Sequence, residues 1–320
     1  MDFFTHFFFG FLISACTVNT LGFELFMYAS LMSMLPDFDV FLHPLAKKKE
    51  SYFLSHRGGS HSYIMSLFVS AITSGIFFLL TGKSFMLAYI IGCIFYSLHV
   101  TLDLFTTSKI PIFYPISKKE YRLMVDRAVN LLLMLISLTT IITYIILLNF
   151  WIRLYYSENI WRVILACYLI YFVYKILTKM WVKARLPDNC QFLPGIFPFV
   201  YSIYENKSNE NHISFKLTKK FQFTSKSVEV IESKIKNNSI EMKFFERTIK
   251  LFEKFRFFKK WEALIPIIWE NDSNINVLIF LAESYANGTA YNLEISYDKN
   301  NGTINNTSYG FSKVMIKAKN

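Results

Sequence analysis

Read from its first residue, the chain alternates between apolar runs and short polar breaks. Residues 3 to 18 and 21 to 35 are apolar and are separated only by Asn19-Thr20. Each is shorter than the ~20 residues a perpendicular membrane span requires, so they form either two short helices in a hairpin or one long helix. A polar stretch follows, beginning with Pro36-Asp37-Phe38-Asp39 and ending with His56-Arg57-Gly58-Gly59-Ser60-His61-Ser62. Four clearer apolar runs come next, at about Ser62 to Thr81, Ser84 to Phe105, Ala128 to Trp151 and Ile160 to Trp181. Their lengths fit the hydrocarbon core of a bilayer. The expected fold is therefore mainly α, a polytopic transmembrane helical bundle of about six apolar segments.

After Leu186-Pro187 the pattern changes. Residues 199 to 204 and 213 to 217 partly alternate around a polar turn and read as a hairpin. Residues 242 to 260 have a helical period, with Phe244, Phe245, Phe252, Phe255 and Phe258 broadly on one side and Lys243, Arg247, Lys250, Lys254 and Arg256 largely elsewhere. That phenylalanine face either packs inside its own domain or rests on a bilayer. Strand-like runs at 277 to 281 and 291 to 297 complete a small α+β cytoplasmic C-terminal domain. The division is thus residues 1 to 185, transmembrane, and 186 to 320, water-soluble.

Composition strengthens the membrane reading. The 320 residues are 53% hydrophobic and 18% aromatic, high for a soluble globular chain. Nine acids fall within residues 1 to 185 and fourteen in the remainder, which marks the same boundary. The formal charge of +11 would suit nucleic acid, but many of the cations flank apolar segments, where they set topology. Anionic membrane lipid is the simpler partner, and no nucleic acid is expected.

Threading the six segments puts Lys47, Lys48, Lys49, Arg57, Lys109, Lys118, Lys119, Arg122, Arg127, Lys179, Lys183 and Arg185 on one face, and Lys83, Arg153 and Arg162 on the other. The positive-inside rule makes the first face cytoplasmic. Cys16, Cys93, Cys167 and Cys190 are scattered and imply neither disulfides nor a thiolate site. The N-terminus lacks the basic region and cleavage site of a signal peptide and is expected to be retained.

Candidate chemistry gathers at the cytoplasmic ends of the first five segments: His6, Asp37, Asp39, His56, His61, His99, Asp103 and Asp126. All are residue types that bind borderline divalent metals. His99 and Asp103, four apart, share a helical face. Gly58-Gly59 lets the backbone bend so that His56 and His61 turn inward. Ser60 is placed to cap the following helix, whose free amides with Arg57 would form a phosphate pocket.

Each piece alone has a plainer reading. His99 can be an interhelical hydrogen-bonding group, Asp37-x-Asp39 a turn, Lys47 to Lys49 an interfacial anchor, His43 a solvated residue or a spare ligand, and Glu24 a helix contact. Their convergence on one face favours a metal, because burying so many ionisable groups uncompensated is costly. Such an ion lowers the pKa of a bound water toward neutrality, which is the chemistry of hydrolysis.

Taken together, His6, Leu35-Pro36-Asp37-Phe38-Asp39, His56-Arg57-Gly58-Gly59-Ser60-His61-Ser62 and His99-x-x-x-Asp103 followed by Thr106-Thr107 and Pro115-Ile116-Ser117 resemble the YdjM-like family of inner-membrane metal-dependent hydrolases. The resemblance covers roughly residues 1 to 185. It is distantly similar in turn to the zinc-dependent phospholipase C and single-strand nuclease superfamily. The resemblance implies zinc, one or more ions, with His6, Asp37, Asp39, His56, His61, His99 and Asp103 as ligands and Asp126 as a further site residue. It also implies a phosphoester substrate, and headgroup depth points to a lipid or lipid-linked one held by Arg57. One departure is Val40, where the family often has a His. The alternative is a non-enzymatic membrane scaffold in which a structural metal braces the helices and the C-terminal domain recruits a protein partner.

Overall fold

The computed structural model describes residues 1–41, 52, 56–150, 158–224, 226–255 and 258–314. His43, Lys47, Lys48, Lys49, Arg153 and Arg256 lie outside the described residues. The chain divides into two compact units, Met1–Ile176 and Leu177–Asn320.

The first unit is helical. Asp2 caps α1 (Phe3–Ala15) by accepting from the Thr5 amide at 3.0 Å. The chain breaks at Cys16, makes one short turn, α2 (Val18–Leu21), and passes through Gly22, whose φ of 80° is open to glycine and strained for other residues. It then returns as α3 (Phe23–Met32). Residues 3 to 35 are therefore a hairpin. Ser14 Oγ lies 3.1 Å from Ser30 Oγ, and Ser33 Oγ donates to the His6 carbonyl at 3.1 Å.

A single 3₁₀ turn, Leu35–Phe38, carries Asp37. The long helices α4 (Tyr63–Thr81), α5 (Phe85–Leu104), α6 (Leu131–Phe150) and α7 (Glu158–Lys183) follow. Buried Ser66, Ser70 and Ser74 let α4 approach α5 closely at Gly92, where a Cβ would sit 2.7 Å from the Tyr28 hydroxyl. Small residues at a helix contact serve this purpose in membranes, where water does not drive helices together. Phe8, Leu12, Trp161, Tyr168 and Phe172 form the core between α1 and α7. Glu24 is half-exposed and pairs with Lys83 at 3.0 Å, a helix contact rather than a buried acid.

The second unit holds two antiparallel four-stranded sheets. β1 (Cys190–Pro194), β2 (Val200–Ser208), β3 (His212–Phe221) and β4 (Ser227–Lys236) form the first; β5 (Leu264–Glu270), β6 (Asn274–Leu281), β7 (Thr289–Asp298) and β8 (Ile304–Lys313) form the second. Between them α8 (Ile240–Phe252), capped by Ser239, buries Phe244 and Phe252 against Ile275, Val277, Ile279, Leu293, Ile295 and Tyr297. Its aromatic face therefore packs on its own sheet, the first of the two expected alternatives.

Two features correct the mainly α, six-segment expectation. Helix accounts for 46% of the structure and strand for 25%, in two sheets. Among the described residues only α4, α5 and α7 are long and apolar enough to cross a membrane. At 1.5 Å per residue, α1 and α3 reach only about 20 and 15 Å, against a hydrocarbon core of about 30 Å. The expected strands fall within β2, β3, β6 and β7, whereas β1, β4, β5 and β8 were not expected; β8, Ile304 to Lys313, is an exposed edge strand with no apolar alternation to read.

The hairpin is testable at Gly10, where an added Cβ would collide with Ser33. Gly10→Ala is expected to destabilise the first unit by about 1–3 kcal/mol through overpacking. Gly75→Ala, with nothing within 4 Å of the new methyl, is expected to be neutral. Thermal unfolding of the two variants in one detergent compares them directly.

Candidate metal centre

Three short pieces of backbone converge on one buried point. The 3₁₀ turn after α3 delivers Asp37, the bend before α4 delivers His61, and the C-terminal turn of α5 delivers His99 and Asp103 on one face. One ligand atom from each of Asp37, His61, His99 and Asp103 lies within 4.8 Å of all the others, and all four residues are buried. His61 Nε2 is 3.1 Å from Asp103 Oδ2, 3.2 Å from His99 Nε2 and 3.5 Å from Asp37 Oδ1.

Proton positions follow from the partners behind the rings. His99 Nδ1 lies 2.8 Å from the Ser33 carbonyl, which can only accept, so this nitrogen carries the proton and Nε2 presents a lone pair to the cluster. Asp37 Oδ1 is buried and accepts no hydrogen bond. Lone pairs from imidazole and carboxylate thus face a common centre, an arrangement that repels itself unless a cation or an added proton compensates it. These mixed nitrogen and oxygen donors form a group that could hold a metal ion.

The surroundings add charge of both signs. His6 stacks on His99 with centroids 3.7 Å apart and places Nε2 3.2 Å from Asp103 Oδ1. The Met1 amino group also meets Asp103. Arg57 is buried, with Nε 3.2 Å from Asp103 Oδ2 and Nη2 donating to the Met1 carbonyl at 2.7 Å. Where an added proton sits on these imidazoles, the charge of His99, His61 and His6 outweighs the burial that opposes ionisation of Asp37 and holds its carboxyl well below the usual range.

Other expected site residues stand elsewhere. Asp39 lies behind His61, 3.3 Å from Nδ1, and His56 is a further step out, with Nδ1 2.7 Å from Asp39 Oδ1 and a side chain 41% exposed. Burial pushes the Asp39 carboxyl up, yet hydrogen bonds with His56 and His61 prevail and hold it below the carboxylate range. The left-handed residue in the bend is Arg57, with φ of 55°.

The amide pocket expected at the start of α4 is closed. Ser62, not Ser60, is the cap and accepts from Ile64 N at 3.1 Å, while Tyr63 N donates to the Ile112 carbonyl at 3.0 Å. The segment after α5 folds across that end and takes up the Tyr63 amide.

Asp126 belongs to a separate buried network. It accepts from Asn130 Nδ2 at 2.9 Å and from the Tyr171 hydroxyl at 3.0 Å, and pairs with Lys175 Nζ at 3.1 Å. Its amide donates to the Phe105 carbonyl at 3.0 Å, which ties this network to the end of α5. Lys175, only 2% exposed, was missed in the sequence, although a lysine inside an apolar run is itself a signal. The carbonyl of Ser33 had no side-chain signal at all. Lys175→Met removes the cation facing a buried carboxylate and is expected to cost about 3–5 kcal/mol. Adding Asp126→Asn should restore most of the loss, as read by chemical denaturation in detergent.

No curated protein and no solved structure matches the chain. The model of one family, described as YdjM inner membrane protein, matches residues 1–182, the stretch that contains the three candidate spans up to its last residue and every side chain of the buried cluster. The family match and the three apolar helices agree on a membrane location, and the chain belongs to the YdjM inner membrane protein family.

Proposed function

We propose that the protein is a membrane-bound, metal-dependent hydrolase of a phosphoester, lipid or lipid-linked, working at the cytoplasmic face of a multi-pass inner-membrane domain. The observation that carries this reading is the buried convergence of Asp37, His61, His99 and Asp103, with a guanidinium beside it. These four would hold the ion, zinc being the best fit to the donor set, with His6 adjacent. Bound there, a divalent ion supplies Lewis-acid activation of water and charge neutralisation on phosphoester oxygens. Arg57, already 3.2 Å from Asp103, is positioned to hold a phosphate oxygen that enters beside that carboxylate. The amides at the start of α4 are not needed for this role.

A lipid substrate is supported by the apolar rim on the same short segments. Phe3 and Phe38 meet edge to face with centroids 6.0 Å apart, Phe38 and Phe41 lie 5.7 Å apart, and all three rings are exposed. Phe38 sits between Asp37 and Asp39, so a chain lying on these rings would bring its headgroup to the cluster.

The non-enzymatic reading also has an observation in its favour. Four buried ligands are what a closed structural zinc uses. In that case the metal braces α3, α4 and α5, and the C-terminal unit serves a protein partner.

Purified protein is expected to contain stoichiometric zinc or a similar divalent ion, with His61→Ala and Asp103→Ala losing most of it. A metal-free, fully stable protein would sink the site. Phospholipids and water-soluble phosphodiesters assayed with and without chelator separate the two readings. Chelator-sensitive turnover that returns when zinc is restored supports the hydrolase. No turnover, with chelation instead lowering the melting temperature, supports the brace. For the lipid assignment, a Phe38→Ser/Phe41→Ser variant is expected to raise KM on vesicles and leave it unchanged on a soluble phosphodiester.

A further inference from the structure

We infer that Asp39 is not a metal ligand but a positioning residue, which orients His61 so that its Nε2 faces the ion. The inference rests on the metal-site reading above and not on the hydrolytic one. It departs from the assignment of both carboxylates of Asp37-x-Asp39 to the same coordination sphere.

The two aspartates sit on opposite sides of one imidazole. Asp37 approaches His61 at Nε2, at 3.5 Å, and Asp39 approaches at Nδ1, at 3.3 Å, beside Ser60 Oγ at 3.0 Å from the same nitrogen. The two ring nitrogens direct their lone pairs or protons away from each other. A carboxylate on Nδ1 is therefore turned away from an ion on Nε2, with the ring between them.

Asp39 is also fully engaged where it stands. Oδ2 accepts from the Arg57 amide at 2.9 Å and from Ser60 Oγ at 2.6 Å, and Oδ1 is paired with His56 Nδ1 at 2.7 Å. To reach the cluster it would have to leave three partners and pass the ring. Asp37 differs, since its Oδ1 is buried and accepts no hydrogen bond.

A carboxylate behind a ligating imidazole selects the tautomer protonated at Nδ1, makes Nε2 more basic and fixes the ring plane. The Ser33 carbonyl does the same to His99 at 2.8 Å. Both imidazoles are thus held from behind, one by a side chain and one by backbone. His56 and Ser60, in turn, hold Asp39. The Asp-x-Asp spacing in the short turn serves this division, because the two positions face the front and the back of His61.

The test uses the full-length protein in detergent, titrated with Co²⁺ alone and with Zn²⁺ alone. Asp39→Asn is expected to keep the wild-type number of ions and the wild-type Co²⁺ visible band positions, while the dissociation constant rises roughly 10- to 100-fold, the usual effect of removing a group behind a metal-bound histidine. Ser60→Ala, which removes a donor to Asp39 and also the hydroxyl beside His61 Nδ1, is expected to weaken binding in the same sense by a smaller factor. Asp103→Asn is expected to lose bound ion or shift the bands. The inference is overturned if Asp39→Asn loses ions or shifts the Co²⁺ bands as Asp103→Asn does, or if affinity is unchanged in both Asp39→Asn and Ser60→Ala. Should Asp39→Asn fail to fold, His56→Ala, which removes the partner of Asp39 Oδ1, carries the same comparison of affinity against bands. A wild-type protein that takes up neither ion overturns the metal-site reading and this inference together, an outcome distinct from the others.

Discussion

The Asp103 carboxylate is the constraint around which the helical unit is arranged. It is fully buried at the end of an apolar helix, and a bare carboxylate there would cost several kcal/mol. The fold answers with contacts from four directions: the Met1 amino group, His6 of the first helix, Arg57 of the bend and His61 ahead of the fourth helix. Those contacts explain why the first hairpin must turn back. Only a reversal near residues 16 to 22 lets α1 bring His6 alongside His99 while α3 presents the Ser33 carbonyl behind the same ring.

The same economy of charge separates the two buried carboxylates of the unit. Asp103 gathers imidazoles, whose nitrogens can serve as ligands, and faces a centre with lone pairs unsatisfied. Asp126 gathers Lys175, Asn130 and Tyr171, all of which donate to it. The first keeps imidazole and carboxylate atoms facing one another beside the Met1 amino group and Arg57, a group that could hold a further cation; the second is met by donors alone. Similar burial therefore leads to two different surroundings, and the backbone bond from Asp126 to Phe105 ties the self-sufficient network to the helix that carries His99 and Asp103.

Rings and carboxylates around His61 show how a short motif is divided by geometry. Asp37 and Asp39 are separated by one residue, and the spacing by itself suggests a chelating pair. In the folded chain the imidazole lies between them. The bend formed by Arg57, in its left-handed conformation, turns Ser60 and the Arg57 amide toward Asp39 and leaves Asp37 to face the cluster. The aromatic residue between them, Phe38, faces outward with Phe3 and Phe41, so a five-residue segment carries an apolar rim, a candidate ligand and its support.

Several of these features were legible in the chain alone. Apolar runs located α4, α5 and α7, because a span must be continuously apolar over about 20 residues and little else in a sequence is. The concentration of His and Asp at helix ends pointed to Asp37, His61, His99 and Asp103, because ionisable residues beside apolar runs are rare enough to stand out. Three matters belonged to tertiary structure. Whether a short apolar run spans or folds back depends on what it packs against, so α1 and α3 became a hairpin. Edge strands such as β8 exist through pairing with a neighbour and carry no apolar period of their own. Which side of His61 each aspartate occupies depends on a ring orientation set by residues from distant parts of the chain, and a one-dimensional spacing holds no record of it.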